Sequence, residues 1–254
     1  MSGFQPSLMP ASIHLVIPCY HESGRIGPFL AELCETLAPL GGITIRVVED
    51  GSDEDEKKRL STIIEAQRTQ TPLLLEPLFL PQNLGKGGAI YASWNAEKSA
   101  DWLAFVDADG SCSAAEVARL IQLAREAPEN TALFASRVKM LGKSVSRDFR
   151  RHLIGRVYAT LVSEMLSIPV YDSQCGLKLV PRACFERLAS KLTIHGFAFD
   201  VELLTLLLDS GCAVQEVPIS WHETPGGKVH LLRDSFLMAR DVWRVRQNHR
   251  NAAG

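Results

Sequence analysis

An open, mostly parallel α/β sheet with helices on both faces, followed by an amphipathic C-terminal helix, is the fold class that this sequence predicts, on three observations. Short runs rich in β-branched residues alternate with segments of helical periodicity. The clearest of those runs end at polar or acidic residues. The intervals between them have the length that a strand–helix–strand crossover needs, and such a unit is parallel and right-handed.

The elements follow in order. Ile13 to Ile17 reads as a strand stopped by Pro18, and Ile43 to Val48 as a second, ending in Glu49-Asp50-Gly51-Ser52. Between them, Ile26, Phe29, Leu30, Leu33 and Leu37 fall on one helical face. Asp53 to Glu56 fill the first turn of a second helix, where carboxylates suit the helix dipole, and Leu60, Ile63 and Ile64 supply its apolar side. Leu73 to Leu80, interrupted by Pro77, reads as an edge strand. Gly85 to Ala100 then reads as a helix, and Trp102 to Val106 as a buried strand ending at Asp107. Ser113 with Glu116 three residues on has the pattern of a capping box, before the apolar face of Val117, Leu120, Ile121 and Ala124. Leu133 to Ala135 is a further strand. Beyond it, Arg147 to Leu166 and Ala198 to Leu208 read as helical, Cys175 to Val180 and Val214 to Ile219 as strands.

A chain of 254 residues, 46% hydrophobic, can bury one large core. We expect a single domain over 1–228, with a donor half at about 12–136 and an acceptor half at about 137–228, then an amphipathic helix and tail over 229–254. A net charge of −2 with no long basic run before the C-terminus argues against nucleic acid as a partner. The six cysteines have neither Cys-x-x-Cys pairs nor zinc-like spacing with histidine, so reduced thiols in a cytoplasmic protein are expected. Residues 1–12 do not read as a secretory signal, and no apolar stretch approaches the roughly 20 residues that span a bilayer.

Chemistry is concentrated where the strands end. Asp50, Asp107 and Asp109 all fall at the carboxyl ends of expected parallel strands, where open α/β sheets bind ligands. In Asp107-Ala108-Asp109, a turn can aim one carboxylate at hydrated Mg²⁺ or Mn²⁺ and the other at a ribose or at the same ion. An isolated Asp-x-Asp before glycine is ordinary turn chemistry; its sequence company changes that. Gly85-Lys86-Gly87-Gly88 lacks the outer residues of a P-loop, which excludes that reading of it. Its glycines permit close backbone approach at a helix N-terminus, with Lys86 facing a diphosphate, although a plain strand–helix loop reads nearly as well.

That company is Val16-Ile17-Pro18-Cys19-Tyr20-His21-Glu22, Val47-Val48-Glu49-Asp50-Gly51-Ser52, Asn83-Leu84-Gly85-Lys86-Gly87-Gly88-Ala89, Val106-Asp107-Ala108-Asp109-Gly110 and Ala135-Ser136-Arg137, in that order. The set resembles the family 2 glycosyltransferases of the GT-A fold. Two later segments, Tyr171-Asp172-Ser173-Gln174-Cys175-Gly176-Leu177-Lys178 and Gly196-Phe197-Ala198-Phe199-Asp200-Val201-Glu202-Leu203-Leu204, look most like the dolichyl-phosphate β-glucosyltransferases within it, with polyprenyl-phosphate mannosyltransferases close behind. The resemblance runs from about Ile13 to Arg246. Two departures stand out: Glu49 replaces the first acid of the usual Asp-Asp-Gly-Ser, and no segment matches the transmembrane anchor of many eukaryotic relatives.

The resemblance implies an inverting, Mg²⁺- or Mn²⁺-dependent hexosyltransferase that takes a nucleotide-sugar donor and a polyprenyl-phosphate acceptor. UDP-glucose is the first choice of donor and GDP-mannose the alternative. Pro18, Tyr20 and Glu22 would line the nucleotide pocket and Asp50 would bind the base. Asp107, Ala108 and Asp109 would hold the ribose-diphosphate and the metal, with Asp109 the principal ligand. Arg137 and Arg151 would meet the acceptor phosphate, while Arg147 and Arg156 read as a solvated basic face. Asp172 would orient an arginine or the donor sugar, or act as base if the acceptor were a sugar hydroxyl. Among histidines without metal-ligand spacing, only His222 is kept, with Lys228, as a diphosphate candidate near Pro225-Gly226-Gly227.

From Val229 to Arg246, Leu232, Phe236, Ala239, Val242 and Trp243 stand against Arg233, Arg240, Arg244 and Arg246. Such a helix fits a membrane interface or the side of the domain equally well, so the expected partners include a membrane surface or membrane protein at the cytoplasmic face. A soluble phosphorylated or sugar acceptor, and a nucleotide-sugar-binding protein without turnover, stay open as alternatives.

Overall fold

A computed structural model describes residues 10–138, 140–146, 170–224 and 240–247. Seven strands form the central sheet: β1 (Ile13–Cys19), β2 (Ile43–Glu49), β3 (Leu78–Phe79), β4 (Trp102–Val106), β5 (Thr131–Ser136), β7 (Leu177–Pro181) and β8 (Ala213–Pro218). Their order is β3-β2-β1-β4-β7-β5-β8. All neighbours are parallel except β7, which runs antiparallel to both β4 and β5. A second, two-stranded ladder pairs β6 (Val145–Ser146) with β9 (Trp221–His222). The expected sheet is therefore present, with one reversed strand and a small ladder that periodicity did not announce.

The sheet has a core on each face. On one, α1 (Ser23–Leu37), α2 (Glu54–Arg68) and α4 (Ala114–Glu126) cover Ile13, Leu15, Ile17, Ile45, Val47 and Val106. On the other, α3 (Lys86–Ala96), α5 (Arg182–Leu188) and α6 (Phe199–Asp209) pack on Val16, Val48, Phe105 and Phe134 around Trp94 and Phe185. Full burial of each such apolar side chain contributes about 1.5–3 kcal/mol, which is why strands buried on both faces read as continuous apolar runs.

Several boundaries move for physical reasons. Pro18 lies inside β1, because pairing with β4 stops at Val16 and the N–H that proline lacks would have pointed to that side. The Leu73 to Leu80 strand shrinks to Leu78–Phe79 with one bridge from Leu74 to Ile45, and the helix after Gly85 ends at Ala96. The capping box is half formed. The Ser113 hydroxyl accepts from the Glu116 N–H at 3.4 Å, but the Glu116 carboxylate turns away to Arg119, Lys143 and the Ser220 N–H, all at 2.7–2.8 Å. This carboxylate ties the strand ends at β6 and β9 to the first turn of α4.

The reduced state expected of all six cysteines is corrected for two: Cys184 in α5 and Cys212 before β8 form a disulfide, with Cα atoms 6.4 Å apart. They are separated by 28 residues, so only packing of α5 beside α6 brings them together. Cys19, Cys34, Cys112 and Cys175 are buried and stand outside that disulfide. The expected helix over Arg147 to Leu166 and most of the expected C-terminal helix lie outside the described residues. Its described part, α7 over residues 240–247, buries Val242 and Val245 in the α6-side core and leaves Trp243 half exposed. Val242 and Trp243, expected on one stripe, thus face opposite ways.

Candidate active site

The carboxyl ends of β1, β2, β4 and β5 bring most of the expected residues into one chain of contacts. It begins at Asp50, just past β2, whose carboxylate is buried and accepts from the Leu84 N–H at 2.7 Å and the Gly85 N–H at 2.9 Å. Burial raises its pKa, opposed by those two amides and assisted by Glu49. Glu49, fully buried, accepts from the Gly51 and Ser52 N–H groups, so the family's substituted acid serves as a brace for the turn.

The glycine-rich segment opens α3, but its close approach is to protein. The Gly87 and Gly88 N–H groups donate to the His195 carbonyl at 2.7 and 3.2 Å, and a Cβ on Gly87 would sit 2.5 Å from that of Phe199. The small side chains thus let the starts of α3 and α6 cross. Lys86 leaves this crossing and places Nζ 2.6 Å from Asp107 Oδ1, and 5.2 and 5.8 Å from the Phe105 and Phe199 rings. Burial works against its charge, but Asp107, Asp200 and Asp109 raise its pKa above the ordinary lysine value. The glycines do not offer free amides to a diphosphate there; Lys86 remains the cation of that segment.

Asp107 and Asp109 follow β4 directly. The Asp107 N–H donates to the Gly176 carbonyl at 2.9 Å, and a Cβ at position 176 would collide with the Asp107 carboxylate, so this loop needs glycine there. Asp109 Oδ1 accepts from the Ser111 N–H at 2.9 Å, and no second partner is seen for this carboxylate among the described residues. Ala108 between them is buried.

On the acceptor side, Arg137 after β5 is forked onto Asp172, with Nε–Oδ2 at 2.6 Å and Nη2–Oδ1 at 2.8 Å, and its own N–H adds a third bond at 3.0 Å. The guanidinium lies 5.1 Å from the Trp221 ring. Burial disfavours its charge, but Asp172 outweighs this and pushes its pKa further up. Asp172 is itself held, since the Tyr171 and Asp172 N–H groups both donate to the Glu216 carboxylate at 2.9 Å.

The remaining expected residues are placed as follows. Pro18 lies one residue before the end of β1, Tyr20 is 43% exposed in the turn, and Glu22 receives Arg25 through two bonds of 2.7 Å. His21 between them has φ 53°, a left-handed backbone uncommon for histidine. The His222 N–H donates to the Ser111 carbonyl at 3.0 Å, so β9 lies against the turn that holds Asp109. Arg151 and Lys228, with Arg147 and Arg156, lie outside the described residues.

Sequence reasoning missed a buried ion pair directly below the site. Lys178 in β7 and Asp200 in α6 lie 2.7 Å apart at 0% and 3% side-chain exposure. A usable signal existed: strand alternation puts Lys178 in a buried strand, where an ionised group needs a partner. Burial pushes the Asp200 carboxyl up, against the pull of Lys178 and Lys86.

A divalent cation can be tested against these donors. No three His, Cys, Asp or Glu side chains gather as a ligand cage among the described residues. Mg²⁺, however, is usually held by one or two carboxylates plus substrate phosphates, keeping several waters. Asp109, with one oxygen uncommitted to described protein groups, and Asp107 beside it fit that mode.

The profile of glycosyl transferase family 2 matches residues 14–188, from β1 into α5. The chain belongs to that family. A dolichyl-phosphate beta-glucosyltransferase of Saccharomyces cerevisiae is 31% identical over 92% of this chain and 74% of the yeast protein. Among solved structures, mannosyl-3-phosphoglycerate synthase of Rubrobacter xylanophilus superposes with a TM-score of 0.68 at 16% identity, covering 96% of this chain and 75% of the other. Glucosyl-3-phosphoglycerate synthase of Mycobacterium tuberculosis, in complex with Mn²⁺, UDP and glucosyl-3-phosphoglycerate, does so at 0.65 and 18% identity, over 94% of this chain and 80% of the other. These two likenesses establish the GT-A fold, and membership of the family makes the chain a glycosyltransferase. No helix among the described residues is long and apolar enough to cross a membrane.

Proposed function

We propose that this family 2 glycosyltransferase moves a hexose from a nucleotide sugar to a polyprenyl phosphate, with glucose from UDP-glucose as the first reading of the donor. The carrying observation is the Asp107-Ala108-Asp109 turn, set at the end of β4 between Lys86 and the Arg137–Asp172 pair. The likeness to the yeast enzyme over 92% of the chain supports the class of acceptor.

In this reading the Pro18 to Glu22 turn and Asp50 border the nucleotide, and Asp107 and Asp109 hold the cation against the diphosphate. A bound Mg²⁺ or Mn²⁺ would stabilise the charge that grows on the departing diphosphate. Asp172 orients Arg137 toward the acceptor phosphate, where a planar fork binds oxygens well, with Arg151 a further candidate for that phosphate and His222 and Lys228 candidates for the diphosphate. A phosphate monoester has a second pKa near ~6, so it arrives largely ionised and needs no general base. Asp172 can therefore spend both oxygens on Arg137 without loss to the chemistry. The GDP-mannose donor remains an alternative, as does a soluble phosphorylated acceptor, which the Mycobacterium tuberculosis structure brings into view. The place of work in this reading is the cytoplasmic face of a membrane.

The test is transfer of labelled sugar from UDP-glucose, and in parallel GDP-mannose, into butanol-extractable polyprenyl phosphate with Mg²⁺ or Mn²⁺. Metal-dependent lipid label, absent in Asp109→Ala, is expected. Label that appears only on 3-phosphoglycerate or another soluble acceptor would overturn the lipid reading.

A further inference from the structure

We infer that Asp200, held in place by Lys178, is a positioning residue that gives Lys86 a second anionic seat and so leaves Asp107 available to a divalent cation. The inference rests on the metal-assisted reading above and concerns groups that do not themselves touch the reacting atoms.

The geometry is two ion pairs of opposite order set against one aromatic ring. Asp107 lies 2.6 Å from Lys86 at its outer end, and Asp200 lies 2.7 Å from Lys178 at its inner end. The two halves share the Phe105 ring, with the Lys86 and Lys178 ammonium groups 5.2 and 5.4 Å from its centroid. They also share the α3–α6 crossing, where Gly87 abuts Phe199, the residue before Asp200. Asp200 acts on the charge of Lys86, as Lys86 does on that of Asp200.

Lys178 directs a hydrogen bond to the Cys175 carbonyl at 2.8 Å, while its contact with Asp200 Oδ1 lies outside hydrogen-bond geometry. Asp200 Oδ1 is thus held by charge, with no hydrogen-bond donor among the described residues. That is the property a second seat for an ammonium requires.

The need for such a seat follows from electrostatics. Lys86 on Asp107 competes with any metal ion for the same carboxylate, and a desolvated ammonium cannot simply withdraw, because a buried charge without a counter-charge is costly. With Asp200 behind it, Lys86 can lean inward over the Phe105 and Phe199 rings as the cation arrives. Lys178 keeps Asp200 from being an unpaired anion in the meantime.

The experiment measures Mn²⁺ affinity by electron paramagnetic resonance of the free ion, with UDP and separately with GDP, and thermal unfolding on the same samples. For Asp200→Asn we expect folded protein whose Mn²⁺ dissociation constant rises about tenfold or more, since one charge of a close buried pair is worth at least that factor. Lys178→Arg, which keeps the charge, should bind Mn²⁺ as the unaltered chain does. If Asp200→Asn does not fold, the charge-neutral pair Lys178→Met with Asp200→Leu decides, because swapping a buried pair for apolar residues is often tolerated. That variant should also bind Mn²⁺ more weakly. Unchanged Mn²⁺ affinity in a folded Asp200 variant overturns this inference alone. No Mn²⁺ binding by the unaltered chain with either nucleotide overturns the metal-assisted reading and this inference with it.

Discussion

The two ends of the sheet carry polar groups of similar kinds and use them differently. At the amino end, His14 is fully buried with Nδ1 3.0 Å from Thr44 Oγ1 and Nε2 2.9 Å from Ser93 Oγ. Nearby, Asp101 accepts from the Ser12 N–H and hydroxyl, Glu97 from Ser99 and Ala100, and Arg182 donates to the Glu97 and Ala100 carbonyls. These groups close on one another and on backbone, which is what a structural polar cluster needs. At the carboxyl end the groups are charged, held in position by neighbours, and in Asp109 left with acceptor capacity that no described residue takes up. Polar groups that close on one another and on backbone hold strands together; oriented charges with spare capacity await a ligand.

Mutation and pH can break that comparison. The largest effect is expected at Asp109. Asp109→Ala should lower sugar transfer by about a thousandfold while changing folding stability by no more than about 0.5 kcal/mol, as measured by turnover and urea unfolding together. A comparable loss of stability would place Asp109 among the structural groups.

Next comes the Arg137–Asp172 fork, which belongs to both kinds. Asp172→Asn should cost about 2–3 kcal/mol in urea unfolding, because it removes the carboxylate that holds the largely buried Arg137 in a two-bond fork, and reduce transfer by about a hundredfold. Arg137→Lys, which loses the fork, should fail to preserve activity. Full activity in either variant would remove the pair from the site.

The amino end should answer to acid with little effect on catalysis. Burial lowers the pKa of His14 from 6.5 to about 4, with Glu97 pulling the other way. Between those values the unfolded chain binds a proton that the folded chain does not, so this contribution is intact above 6.5 and is lost as pH falls toward about 4. The loss should reach at most about 3 kcal/mol. His14→Gln should flatten the stability profile in that window and leave turnover at neutral pH unchanged; an equally steep profile in the variant would point to another group. The smallest change is expected at Trp243, half exposed on α7, where Trp243→Ala should alter stability by less than about 0.5 kcal/mol.

Much of this was legible in the sequence because the signals are local. Strand positions followed from β-branched runs, and the acids at their ends followed from the rule that parallel strands share a functional edge. The elements that escaped are those defined by distant partners. β7 looked like any strand, and its reversed direction shows only in its antiparallel pairing with β4 and β5. Glu116 fitted a capping box by spacing, yet Lys143 and the Ser220 amide, 27 and 104 residues away, took its carboxylate. The glycines at 85 to 88 read as permitting close backbone approach at a helix N-terminus, and protein took that place: the His195 carbonyl accepts the Gly87 and Gly88 amides and Asp50 that of Gly85.

By itself the sequence determined the alternation of strands and helices, the placement of Asp50, Asp107 and Asp109 at one edge, and the resemblance that the family profile bears out. These depend on periodicity and on residue order, which the chain carries in one dimension. Only the tertiary structure decided that Asp172 holds Arg137, that Lys178 meets Asp200, that Cys184 joins Cys212, and that Val242 turns inward while Trp243 faces out. Each of those outcomes pairs groups from separate elements, and the cost of burying a charge or exposing an apolar face is settled only when the elements pack.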